Sequence, residues 1–303
     1  MGVCRRVESL AGVRDALRFV YARRLGVIGV SDLRPNFRMR LLARTLRGLR
    51  EQSGFNQHEA GAKLRFSEKK MSRIEQGQVP GYHEFLAMLD LYGVIVNEYD
   101  EYIRMYDRAK EKGWWHAYGL DDRGFVSIEA EASAVREYEI GHVPGLLQTE
   151  GYMREAFASA REPLEGDHLE NQVAVRLRRQ RRLTEEPLLT LHGVVDETAL
   201  RRPACDQAQL DQIFRLASLP NVTVQVIPHD AGVHSGLYSN FFVVSFPRAV
   251  EADLAYIEYG FGSLQIEKDS EVGAARLMFE HLADLALDEV DSVALVSRVL
   301  PKD

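Results

Sequence analysis

Only two cysteines, Cys4 and Cys205, occur in 303 residues, and they stand far apart. That excludes a disulfide framework and a thiolate zinc site, both of which need paired or clustered cysteines, and it fits a reducing cytoplasm. No apolar run approaches the ~20 residues that a membrane-spanning helix needs. The opening stretch MGVCRRVESLAGVRDALRFVY intersperses too many charges to supply the apolar segment of a secretion signal. Equally missing are G-x-x-x-x-G-K-[ST], G-x-S-x-G and H-E-x-x-H, which removes the phosphate-loop, hydrolase-elbow and zincin chemistries. Gly260-x-Gly262 lacks the third glycine and following helix of a dinucleotide fingerprint and reads as a hairpin turn. The expectation is a protein that is not an enzyme, with no cofactor and no metal.

What is present is an uneven distribution of charge. The net charge is −7, with apolar residues near half and charged residues near a quarter, the proportions of a globular chain. Residues 1–75 carry 17 Lys and Arg against 7 Asp and Glu, and the remainder carries 21 against 38. A basic head precedes an acidic body, and local positive excess, rather than overall pI, decides whether a surface attracts phosphates.

Length implies about two domains. Residues 1–35 show weak periodicity, end at the helix-breaking Arg34-Pro35 step, and read as an N-terminal extension. From Phe37 to Gln52, Leu42, Leu46 and Leu49 recur at helical spacing among Arg38, Arg40, Arg44, Arg47 and Arg50, and Gly54 closes that helix. Asn56 is placed to cap a second helix to Leu64, and Ser67 a third to Glu75 that ends at Gly77. Tyr82, Phe85, Leu86 and Leu89 predict a fourth, and Tyr99, Tyr102, Ile103 and Tyr106 a fifth. The charged Lys110-Glu111-Lys112-Gly113 step is the candidate linker, so the first domain spans 36–110 and the second 114–303. In the second, helical patterns fall at 128–139, 149–160, 166–183, 207–218 and 270–287. Strand patterns fall at 188–195, 222–227, 240–246, 254–259 and 264–267. The fold class expected is α+β and multidomain: an all-α five-helix head, then a domain with a mostly antiparallel or mixed sheet.

Two helices joined by a short turn cross steeply only if a small side chain sits where they touch, and Gly61 occupies that place. Leu64, Met71 and Ile74 supply apolar contacts beneath the third helix, whose outward first turn then carries Glu68, Lys69, Lys70 and Arg73. Residues 36–93 resemble the lambda-repressor-like, Xre-type regulators. The resemblance rests on the Leu-Arg-x-Leu-Arg run at 46–50, Gln57, Leu64, Ser67, and Met71-Ser72-Arg73-Ile74-Glu75-x-Gly77. It implies a dimer whose third helix enters the major groove of operator DNA. By position Glu68, Lys69 and Arg73 would face base edges, with Asn56, Gln57, Arg65, Lys70 and Gln76 near phosphates. It also implies a pairing of Arg50 with Glu75. The chain departs from the pattern at Arg65, where the family usually has glycine; a side chain at positive φ there would cost about 1 kcal/mol.

The stretch His142-Val143-Pro144-Gly145-Leu146-Leu147-Gln148-Thr149 delivers a helix capped by Thr149. With Trp114-Trp115, Val195-Asp196-Glu197-x-x-Leu200-Arg201-Arg202-Pro203 and Gly232-x-His234-x-Gly236, it resembles an antitoxin-like domain that follows such helix-turn-helix units in bacterial regulators. That resemblance implies dimerisation and control by a small protein encoded nearby, so an antitoxin-like protein that autoregulates its operon is the alternative function. A metal-dependent hydrolase would rest on His229, Asp230 and His234, with Asp196 and Glu197; surface roles, capping and pairing with Arg201-Arg202 are the commoner uses of such residues. The run Arg176, Arg178, Arg179, Arg181, Arg182 would either touch DNA beside the operator or form pairs within the acidic body. Phe241, Phe242, Tyr256 and Tyr259 are expected in the core.

Overall fold

A computed structural model describes residues 35–120, 124–247, 252–260 and 262–299. The extension, apart from Pro35, lies outside these residues, as does Phe261 of the expected hairpin turn. The chain divides into two compact units between Ser127 and Ile128.

The first unit is helical. Helix α1 (Phe37–Gln52) starts at Asn36, whose side chain accepts from the Met39 amide at 2.8 Å. Helix α2 (Gln57–Leu64) opens with a reciprocal cap: Asn56 Oδ1 accepts from the Glu59 amide, and Glu59 Oε2 accepts from the Asn56 amide, both at 2.9 Å. Ser67 Oγ accepts from the Lys70 amide at 3.2 Å to begin α3 (Glu68–Glu75). Helices α4 (Tyr82–Leu91) and α5 (Tyr99–Lys110) follow. Gly54 and Gly93, each at φ 77°, close α1 and α4 in the left-handed conformation that glycine adopts without penalty. Leu42, Leu46, Met71, Ile74, Phe85, Met88 and Leu89 form the core. Trp114 and Trp115 fall within this unit, and the Arg38 guanidinium lies 5.8 Å from the buried Trp115 ring.

The second unit is built on one mixed six-stranded sheet in the order β3-β2-β1-β4-β5-β6. After a short α6 (Phe125–Glu129), β1 (Ala134–Glu139) pairs in parallel with β2 (Thr190–Asp196), which pairs in parallel with β3 (Val222–Ile227). On its other side β1 runs antiparallel to β4 (Phe241–Ser245), then β5 (Leu254–Tyr259) and β6 (Gly262–Ile266) continue antiparallel. Helices α7 (Glu150–Ala158), α8 (Gly166–Gln180), α9 (Glu197–Leu200), α10 (Gln207–Ala217), α11 (Asp269–Leu285) and α12 (Glu289–Val296) complete it.

One expectation is overturned. The segment 128–139 is not helical throughout: α6 ends at Glu129, and Ala134–Glu139 is the strand to which both halves of the sheet attach. Glu and Ala favour helices in isolation, but pairing on two sides and burial on both faces override that preference. Alternation along β1 separates two surfaces. Tyr138 joins Val194, Phe241 and Val243 against Phe279 and Leu282 of α11. Val135, Glu137 and Glu139 face the other way, toward the turn at 143–149 and α8.

Candidate nucleic-acid interface

The crossing of α2 and α3 rests on Gly61. A Cβ there would lie 3.2 Å from Met71 Cγ and 3.2 Å from the Phe66 carbonyl oxygen, tighter than side chains normally pack. Arg65 then reverses the chain at φ 58°, ψ 36°, and is the non-glycine residue with positive φ among those described. The Phe66 amide donates to the Gly61 carbonyl at 2.8 Å, closing the end of α2. Met71 and Ile74 are buried and Leu64 packs at the margin, so the opposite side of α3 faces outward.

Arg50, Gln57 and Glu75 lock three helices together. Arg50 Nε and NH2 donate to the two Glu75 oxygens at 2.6 and 3.0 Å, and Arg50 NH1 donates to the Phe55 carbonyl at 2.6 Å. Gln57 Nε2 donates to Glu75 Oε2 at 2.7 Å. Both charged side chains are less than a tenth exposed, at 7% and 4%. The hydrogen bond that Arg50 donates to Glu75 raises the basicity of Arg50 despite burial.

The remaining polar residues separate into engaged and open ones. Asn56 caps α2, and Gln76 Nε2 donates to Ser72 Oγ at 3.0 Å. Lys70 pairs with Glu84 of α4 and lies 4.3 Å from the Phe66 ring centre, so its charge is already met within the domain. Its hydrogen bond holds the Glu84 carboxyl below the usual range. Glu68 stands 4.0 Å from His58 Nε2 on α2. Lys69, Arg73 and Arg65 are exposed, and their side chains make no ion pair or hydrogen bond among the described residues. Sequence reasoning did not foresee the pairing of Lys70 with Glu84, which lies 14 residues away on another helix.

Arg176, Arg179, Arg182, Asp196, Glu197 and His234 of the second unit are engaged structurally. Arg179 makes a two-pronged pair with Glu129 at 2.8 and 2.6 Å. Arg182 donates to the carbonyls of Glu129, Ala130 and Ala132, and Arg176 to Gln148 Oε1. Asp196 Oδ1 accepts from the Thr198 amide at 2.8 Å to start α9, while Glu197 pairs with Arg201 and accepts from the His229 amide at 2.8 Å. His234 Nε2 lies 3.5 Å from Asp196 Oδ2, and His229 and Asp230 are exposed. Among the described residues, no three His, Cys, Asp or Glu side chains gather as metal ligands would. No described helix is long and apolar enough to cross a membrane. Phe241, Phe242 and Tyr256 are buried; Tyr259, at the strand end, is 42% exposed.

Two family matches accompany this geometry. A helix-turn-helix domain matches residues 41–101, taking in α2, the turn at Arg65 and α3. A domain of unknown function, DUF5753, matches residues 122–298, more than half of the chain and the whole mixed sheet. No curated protein and no solved structure matches significantly. The chain belongs to the DUF5753 family and carries a helix-turn-helix domain before that domain in its sequence.

Proposed function

We propose that this chain is a dimeric, sequence-specific transcriptional regulator of the Xre type acting in the cytoplasm. Its helix-turn-helix domain reads operator DNA, and its second domain supplies dimerisation and receives a signal or partner, without catalysis of its own. The observation that carries the reading is the pair Lys69 and Arg73. They lie four residues apart on one face of α3, exposed and without an internal partner, whereas the buried side of the same helix is fixed by Met71, Ile74 and Glu75. Arg and Lys donate to guanine O6 and N7, and Glu68 accepts from cytosine N4, each good pair discriminating by roughly 1–3 kcal/mol. Arg65, Asn56, Gln57 and Gln76 border that face and contact phosphates, with Lys70 holding its position through Glu84.

The test is genome-wide mapping of bound DNA with wild-type protein beside a Lys69→Ala/Arg73→Ala double variant, followed by titration on the enriched duplex. The expected outcome is a palindromic site lost in the double variant, with Arg73→Ala alone costing about 1–3 kcal/mol and relaxing choice at one base pair. A wild-type titration with no preference over random competitor overturns the reading.

A further inference from the structure

Helices α9 and α12 border a cavity of about 340 Å³ in the second unit, at the small end of the range that ligand pockets occupy. Glu197 of α9 and Arg201 just after it, one turn apart, form one wall. Asp291, Leu295, Arg298 and Val299 recur at helical spacing along α12 and the turn that follows, so one face of that segment forms the other, with Leu287 just before the helix. Both walls are anchored. Asp196 caps α9, and Glu197 Oε2 accepts from the His229 amide at 2.8 Å. On the other side, the buried Ser292 Oγ accepts from the Val226 amide at 2.9 Å and donates to the Leu287 carbonyl at 3.1 Å. The Leu287 amide donates to the Val226 carbonyl at 2.9 Å, which ties the start of α12 to β3. Walls held this way are preorganised, so binding between them costs little ordering.

The charges that line the cavity fall into two sets. Glu197 is committed: Arg201 Nε donates to its Oε1 at 2.7 Å and the His229 amide to its other oxygen. Burial alone would raise its carboxyl, but these partners hold it below the usual range, so it stays a fixed anion beside Arg201. Arg201 spends Nε and NH2 on that pair and keeps NH1 outside it. Asp291 and Arg298, by contrast, are exposed, and their side chains make no ion pair or hydrogen bond among the described residues, with each other included. One carboxylate and one guanidinium thus stay open on a single helix face, with Leu295 between them in sequence and Leu287 and Val299 adding apolar surface to the same cavity. An anion filling this space meets Arg298 and Arg201 but strips water from Asp291. A cation does the reverse, and an uncharged apolar molecule desolvates both signs. Each leaves a charge without water or partner, which is unfavourable. A molecule that carries both signs on an apolar body leaves none unmatched.

We infer that this cavity binds a small zwitterion with an apolar body, a free apolar α-amino acid or a short apolar peptide, with its carboxylate on Arg298 and Arg201 and its ammonium on Asp291. Its side chain lies against Leu287, Leu295 and Val299. Guanidinium donors match a carboxylate in geometry as well as charge, and the ammonium contact with Asp291 is charge-assisted in the same way. Glu197 orients Arg201 and does not itself meet the ligand. The inference names the ligand class for the input assigned to the second domain, and it rests on that reading.

The experiment is calorimetric titration of the full chain with leucine and with leucyl-leucine near neutrality. The controls, at equal ionic strength, are the N-acetyl derivative of each, which lacks the ammonium, and the amide of each, which lacks the carboxylate. Saturable binding of leucine or leucyl-leucine by the millimolar range is expected, and the tighter of the two shows whether the body is one residue or two. Deleting either charge from the ligand should weaken it by at least about tenfold. Arg298→Gln and Asp291→Asn change exposed residues, and thermal unfolding of each variant checks that it folds as wild type does. Each should weaken the zwitterion by about tenfold, but Arg298→Gln should cost the amide no further affinity, and Asp291→Asn should cost the N-acetyl derivative none. No saturable binding of either zwitterion, controls that bind as tightly as their parents, or zwitterion binding that neither variant weakens overturns the inference. Operator affinity is measured on the same preparation, so its absence sinks the regulator reading separately from this one.

Discussion

Arg65 occupies a conformation that its side chain disfavours. At φ 58° the turn between α2 and α3 asks for glycine, and an arginine there costs about 1 kcal/mol. Arg65→Gly should therefore raise unfolding stability by up to about 1 kcal/mol while lowering operator affinity, measured by denaturant melts and duplex titration. Greater stability with unchanged affinity would remove Arg65 from the phosphate contacts. A second residue-scale consequence follows from Glu137. Its folded carboxyl titrates at about 7, above the ordinary ~4.3, so the native state binds more protons than the unfolded chain between those values. Its contribution to stability is full below the ordinary carboxyl range and is lost as pH rises through 7. Glu139, shifted the same way, adds to the loss. Melting midpoints from pH 5 to 8 should fall in wild type and flatten in Glu137→Gln; a parallel decline in the variant would assign the effect elsewhere.

At the scale of elements, Gly61 sets the approach of α2 to α3. Gly61→Val would push Met71 or the Phe66 carbonyl aside, with an expected loss of about 1–3 kcal/mol and weaker duplex binding because Lys69 and Arg73 shift from Asn56 and Gln57. Retention of both properties would show that the crossing tolerates a larger residue. These head helices were legible because each is announced locally. Asn56 and Ser67 cap as the sequence predicts, and the leucines that recur in α1 are those that pack. Strand β1 was not legible. Its buried Glu137 and Glu139 break the apolar alternation by which strands are recognised, and the partners that hold Ala134–Glu139 extended are distant in sequence. The same reason hid the buried pair of Glu129 and Arg179, whose members come from α6 and α8, 50 residues apart. Within the candidate DNA face, sequence indicated which residues lie on α3, but only the folded domain separates the engaged Lys70 from the open Lys69 and Arg73.

For the molecule as a whole, a chain of net charge −7 is proposed to bind a polyanion, so its binding must depend on the basic head alone. The logarithm of the operator association constant should fall linearly with the logarithm of salt concentration, and removal of Lys69 should shallow the slope by about 1. Neutralising Lys70, whose charge Glu84 already meets, should change the slope little. Equal changes for both lysines would mean that the Glu84 pair opens on DNA.

The sheet of the second unit also sets a timetable. Ser133, at the entrance to β1, donates to the Ser245 carbonyl 112 residues later, so the central strand gains its antiparallel neighbour only when most of the polypeptide has left the ribosome. The head, whose helices contact near neighbours, needs no such wait. During synthesis, then, the segment carrying Lys69 and Arg73 can assume its shape while the domain that would govern it is still being made.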